Sequence, residues 1–107
     1  MSRLLEYLGY EVRAMTDPVE ALRTFRGDPA AFDLVILDQT MPRMTGGELA
    51  TELLELRPSL PIILCTGFSE GLTEGQAAAL GIRAFLWKPF SVREIAAAIR
   101  QALAPSV

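Results

Sequence analysis

Asp33-Leu34-Val35-Ile36-Leu37-Asp38 is the stretch on which the fold turns. A short continuous apolar run lies between two carboxylates, a pattern that suits a strand buried on both faces of a sheet. Two later stretches repeat it: Pro61-Ile62-Ile63-Leu64-Cys65-Thr66 and the shorter Ala84-Phe85-Leu86-Trp87. Between these runs the period changes from that of a strand to that of a helix. Gly46-Gly47 and Glu48 open a helix to about Leu56, with Leu49, Leu53 and Leu56 spaced for one face, and Pro58 ends it. Ser69 to Leu80 reads as a weaker helix closed by Gly81, because Gly71 and Gly75 each cost about 1 kcal/mol relative to Ala. Ser91-Val92-Arg93-Glu94 is a capping box, and it opens a last amphipathic helix with Ile95, Ile99 and Leu103 on one stripe.

Upstream, Asp17 can cap a helix and Pro18 suits its first position. That helix runs to about Arg26 and stops at Gly27-Asp28-Pro29. Glu11 to Met15 alternates polar and apolar residues and reads as a strand. Ser2 to Leu8 reads as a turn or two of helix closed by Gly9. Strands near 11–15, 33–38, 61–66 and 84–87, separated by helices, imply βα units, a parallel sheet and right-handed connections. The predicted class is α/β, and 107 residues suit one domain.

Composition removes several kinds of function. The chain contains no histidine and a single cysteine, Cys65. Ser-His-Asp and Cys-His catalysis, His-ligated zinc, an intramolecular disulfide and a histidine phosphodonor are all excluded within it. The formal charge is −3, with no Lys/Arg cluster, a poor basis for direct nucleic-acid binding. No run approaches the roughly 20 apolar residues of a membrane span. Glu6 interrupts the N-terminal apolar residues, so no signal peptide is read and the expected location is cytoplasmic.

In an open α/β sheet, functional groups gather beyond the carboxyl ends of the strands. Here those ends carry Asp38, Thr66 and Lys88. A carboxylate can be a nucleophile and carry an aspartyl-phosphate. A hydroxyl can donate to a phosphoryl oxygen, and an ammonium can neutralise its charge. Singly, each has an ordinary explanation: Asp38 as a turn former, Thr66-Gly67 as a turn, Lys88-Pro89 as a loop. Together, in this order and each ending a strand, they point to phosphoryl chemistry.

The chain resembles a response-regulator receiver domain of two-component systems over nearly its whole length. The matching stretches include Gly9-Tyr10-Glu11-Val12, Glu20-Ala21-Leu22, the run ending in Asp38, Met41-Pro42-Arg43-Met44-Thr45-Gly46, the run ending in Thr66-Gly67, and Phe85-Leu86-Trp87-Lys88-Pro89-Phe90. The wording Leu64-Cys65-Thr66-Gly67-Phe68-Ser69-Glu70 also resembles receivers attached to hybrid sensor histidine kinases. The resemblance implies a flavodoxin-like three-layer sandwich and a phosphorelay function. It implies that Asp38 is the phosphoacceptor, that Thr66 and Lys88 contact the phosphoryl group, and that the bond from Lys88 to Pro89 is cis. It implies that Phe85 is a switch aromatic, for which a plain core aromatic is the rival reading. It further implies that Mg2+ is held by Asp38 and the backbone carbonyl of Thr40, and that a histidine kinase or phosphotransfer protein is the partner.

One departure stands out. The family opens with a strand that lies centrally in the sheet and ends in two acidic residues that hold Mg2+. This sequence opens inside the first helix, and Glu6 and Glu11 do not fit that motif. The site is therefore expected to be incomplete for metal, with Mg2+ weak or absent and phosphorylation from small donors slow or nil. A sheet without its middle strand exposes backbone groups that invite association, so a homodimer is expected, with a rearranged monomer as the alternative. Two rival functions follow from the same residues. One is a degenerate receiver acting as a protein–protein module. The other is an aspartate-nucleophile phosphatase, which needs a second Asp two positions after the first, where this chain has Thr40. A flavodoxin-like flavin binder would want a phosphate-binding loop after its first strand, which is not found here.

Overall fold

A computed structural model of the chain describes residues 6, 9, 17–40, 43–67 and 74–103. In chain order the elements are α1 (Pro18–Gly27), β1 (Val35–Asp38), α2 (Gly46–Leu56), β2 (Ile62–Thr66), α3 (Glu74–Ala79), β3 (Ala84–Trp87) and α4 (Val92–Leu103). The described strands form one parallel sheet in the order β1-β2-β3. Val35 lies opposite Ile62, and Ile63 opposite Ala84. The expected strand at 11–15 and most of the expected helix at 2–8 lie outside the described residues. Gly9, however, has φ +95° and donates its N–H to the Glu6 carbonyl at 3.0 Å. That is a left-handed helix stop open to glycine at little cost.

The strand period divides the core into two halves. Successive side chains of β2 point to opposite faces. Ile62 and Leu64 pack with Leu22 and Phe25 of α1, Leu49 and Leu53 of α2, and Ala77 of α3. Ile63 and Cys65 pack on the other side with Ile95, Ala98, Ile99 and Ala102 of α4. Among the described residues three helices thus cover one face and α4 covers the other, giving the three-layer α/β architecture. Each fully buried Leu or Ile contributes about 1.5–3 kcal/mol of transfer free energy, so this double-sided strand holds much of the core.

Three readings need correction. The 33–38 run was expected to be buried on both faces, but of its residues only Leu37 is fully buried, and Leu34, Val35 and Ile36 are half-buried. Among the described strands β1 lies at an edge, whereas β2, buried throughout, is the one enclosed on both sides. Leu56 and Leu103 do not belong to the buried stripes; they are 40% and 41% exposed. Each lies in the last turn of its helix, and small residues complete the stripes instead: Ala50 on α2, Ala98 and Ala102 on α4.

The caps follow local chemistry. The Asp17 carboxylate accepts from the Val19 N–H at 3.0 Å, with Pro18 in the first turn. Ser91 and Glu94 form the predicted reciprocal box, both bonds 3.1 Å. A second box was overlooked in the sequence: Thr45 Oγ1 accepts from the Glu48 N–H, and Glu48 returns the bond to the Thr45 N–H. Two arginines brace the end of the sheet away from the site. Arg57 donates to the carbonyls of Phe32 and Pro29. Arg83 donates to those of Ser59 and Ala102. No helix among the described residues is long and apolar enough to cross a membrane.

Candidate functional site

Parallel pairing forces the ends of β1, β2 and β3 onto one edge of the sheet. Asp38 ends β1 opposite Cys65, Thr66 ends β2 opposite Trp87, and Lys88 directly follows β3. The ladder continues one step past each strand. The Gln39 N–H donates to the Cys65 carbonyl at 2.9 Å, and the Lys88 N–H to the Thr66 carbonyl at 2.8 Å. These bonds hold the backbone where the side chains leave it.

Lys88 and Asp38 meet at this edge. Lys88 Nζ lies 2.7 Å from Asp38 Oδ1, a charge-assisted hydrogen bond. The two side chains are 35% and 48% exposed, so the pair adds at most about 1 kcal/mol to stability. Its importance lies in placing a cation on a potential nucleophile. The Thr40 N–H also donates to Asp38 Oδ1, at 3.3 Å. Thr66 is fully buried at the same edge, and its hydroxyl donates to the Gly67 carbonyl at 3.3 Å. The Lys88-Pro89 bond is cis. Phe85 is half-buried, its ring set edge-on to Trp87 with centroids 5.1 Å apart.

Two groups bordering the site were not singled out as functional in the sequence. Burial pushes the Cys65 thiol up from its ordinary 9.0 to about 11; the Asp38 carboxylate adds to the rise and Lys88 opposes it. Gln39, directly after Asp38, is a buried amide whose Oε1 accepts from the Gly47 N–H at 2.9 Å. A polar residue between a strand end and a helix start was the available signal for Gln39, but the sequence does not show that it turns inward. Across the rim, Arg43 holds φ +71°, rare for a residue with a side chain, and its guanidinium reaches Asp17 at 3.4 Å.

Mg2+ demands near-octahedral oxygen coordination and usually takes carboxylates together with phosphate oxygens and water. Among the described residues no three His, Cys, Asp or Glu side chains converge on a common point. Among the described residues the site edge supplies one carboxylate, Asp38, and Lys88 already sits on one of its oxygens. The described residues alone do not fit the ion, and no chemical step is assigned to it below.

The chain matches the response regulator receiver domain family over residues 1–100. It is 35% identical over 100 residues to the sensory transduction protein RegX3 of Mycobacterium tuberculosis, covering 94% of this chain and 43% of that protein. It is 32% identical over 101 residues to the sensor kinase CckA of Brucella abortus, covering 94% of this chain and 11% of that protein. Among solved structures, a receiver domain protein from Clostridium thermocellum superposes with a TM-score of 0.89 at 29% identity, covering 95% of this chain and 81% of that one. The receiver domain of NtrX from Brucella abortus gives 0.86 at 28% identity, covering 98% and 88%. The chain belongs to the receiver domain family of two-component response regulators, with the flavodoxin-like α/β fold. It spans less than half the length of the curated relatives it matches first. Receiver domains generally bind Mg2+ and interact with histidine kinases and phosphotransfer proteins.

Proposed function

We propose that this chain receives a phosphoryl group on Asp38 from the phosphohistidine of a kinase or phosphotransfer protein. The observation that carries the reading is the 2.7 Å contact between Lys88 Nζ and Asp38 Oδ1 at the shared edge of three parallel strands. Oδ1 is engaged by Lys88 and by the Thr40 N–H, which directs attack through Oδ2. In the transfer, an Oδ2–P bond forms as the donor's P–N bond breaks, and the bonding pair leaves with the imidazole. The protein's part is to position the carboxylate and handle charge, since phosphoryl transfer asks for little other covalent work. Lys88 balances the charge gathered on the transferred oxygens. The Thr66 hydroxyl exchanges its bond to Gly67 for one to a phosphoryl oxygen. Phe85, packed on Trp87 in the same short strand, carries the rearrangement toward the surface. Asp38 and the Thr40 carbonyl would be the groups offered to Mg2+, an incomplete set for that ion. Thr40, where an aspartate-nucleophile phosphatase has its second Asp, speaks against an ester-hydrolysing enzyme.

The test is intact-mass spectrometry after incubation with Mg2+ and either acetyl phosphate or a phosphorylated histidine kinase. One phosphoryl group should appear on the wild type, slowly with acetyl phosphate, and none on Asp38→Asn. A gain that survives Asp38→Asn would overturn the assignment. No gain from either donor would favour a receiver that acts only by docking partners.

A further inference from the structure

The helix that follows the phosphoacceptor starts in an unusual way. The first four N–H groups of an α-helix have no partner within it. At α2 all four are satisfied, two within the Thr45–Glu48 capping box and two by Gln39. The Thr45 N–H and Glu48 N–H are taken by the capping box. The Gly46 N–H goes to the Gln39 backbone carbonyl at 3.0 Å, and the Gly47 N–H to the Gln39 side-chain carbonyl at 2.9 Å. Gln39 thus grips the helix with its main chain and its side chain, while its own N–H is tied to β2 through the Cys65 carbonyl. Gln39 is 8% exposed, and among the described residues only Gln39 and Thr66 are buried polar residues. Both sit at the site.

We infer that Gln39 is the positioning residue of the phosphoacceptor, a role that rests on the reading of Asp38 given above. Residues 40–45 connect β1 to α2, and Gln39, the last residue before them, holds Gly46 and Gly47, the first two residues after them. Thr40 is the first residue of that segment, and its N–H holds Asp38 Oδ1. Releasing the Gly47 bond lets the base of the segment open, which carries the Thr40 N–H away from the carboxylate that must hold one orientation for attack. A carboxylate at this position would keep the bond and add a second negative charge beside Asp38. An apolar side chain would strand a buried N–H. An amide avoids both.

The test pairs Gln39→Met, which keeps length and removes the oxygen, with Gln39→Glu, which keeps the oxygen. Amide hydrogen exchange is followed residue by residue, with phosphoryl uptake by Asp38 normalised to folded protein. Gln39→Met should speed exchange at both Gly47 and Thr40 about tenfold, the scale of one lost buried hydrogen bond, and slow uptake by a similar factor. Gln39→Glu should restore protection at both amides. Faster exchange at Gly47 with Thr40 and uptake unchanged would overturn the inference and leave Gln39 a helix cap only. The wild type supplies an arm that needs no variant: its Gly47 and Thr40 amides should open together, with one denaturant dependence, and independent opening would also overturn it. A wild type that takes no phosphoryl group refutes the reading of Asp38, while the exchange data still decide whether Gln39 holds Thr40.

Discussion

Gly46→Ala is a substitution whose cost follows directly from the geometry around the added methyl. A Cβ at residue 46 would lie 2.5 Å from the Asp38 carbonyl oxygen, 3.0 Å from its carbon and 2.7 Å from Leu64 Cδ1. Ordinary contact begins at 3.4 Å, so α2 must retreat from β1 by 3.4 − 2.5 = 0.9 Å. Leucine can turn aside, but a strand carbonyl cannot. The same retreat stretches the Gly46 N–H bond to Gln39 from 3.0 Å to almost 4 Å, past any useful hydrogen bond. Overpacking of this kind costs about 1–3 kcal/mol, and a lost hydrogen bond about 0.5–1.5 kcal/mol. Together they predict a loss of about 1.5–4.5 kcal/mol, a large part of the 5–15 kcal/mol typical of a domain. Gly27→Ala is the control: it lies in α1 with nothing within 4 Å of the added methyl, and it should gain a few tenths to about 1 kcal/mol. Urea unfolding of both variants measures the difference. A Gly46→Ala cost below about 0.5 kcal/mol would show that helix and strand separate freely, and the argument from close approach would fail.

Two further outcomes follow from particular groups. With its pKa raised to about 11, Cys65 keeps its proton in the folded chain between about pH 9 and 11, where the unfolded chain has released it. The resulting stability is whole below pH 9 and is lost as pH rises toward 11. Wild type should therefore lose stability across that window faster than Cys65→Ala, and parallel pH curves for the two would contradict the shift. In the native state the thiol should react with alkylating reagents at least roughly 100-fold more slowly than in urea, from its protonation alone. Arg57→Met removes charge-assisted bonds to the carbonyls of Phe32, at 2.6 Å, and Pro29, at 3.1 Å. It should lower stability by about 1.5–3 kcal/mol with an unchanged denaturant slope, and a shift near zero would mean that water replaces the guanidinium without loss.

The parts of this molecule that could be read in one dimension are those whose role depends on place within an element. Asp38 and Lys88 are 50 positions apart in the chain, yet they were expected together because each ends or follows a buried strand. Parallel βα topology brings all such ends to one edge, so no distance needed to be known. The buried runs were legible for the same reason, although the edge position of β1 was not: that depends on which strands flank it. Leu56 and Leu103 show the limit of a helical period, which says which way a side chain points but not whether the sheet still lies beneath it. Thr45-Gly46-Gly47-Glu48 held a capping box in plain view, obscured because the glycines themselves looked like the helix start.

Gln39 differs in kind. Its role is a hydrogen bond to a residue eight positions on, across a segment whose path no local pattern dictates. An amide after a strand is usually a solvated turn residue. It points inward here because α2 approaches β1 so closely that Gly46 has no room for a methyl, which brings the helix N-terminus within reach of the side chain. Gly46 and the glutamine therefore make one device. The missing side chain at Gly46 lets the helix come close, and Gln39 accepts, through its main-chain and side-chain carbonyls, the two N–H groups that closeness would otherwise bury unpaired. Enlarging Gly46 should consequently loosen the same Gly47 and Thr40 amides that Gln39→Met does, and the two changes together should cost less than the sum of their separate effects.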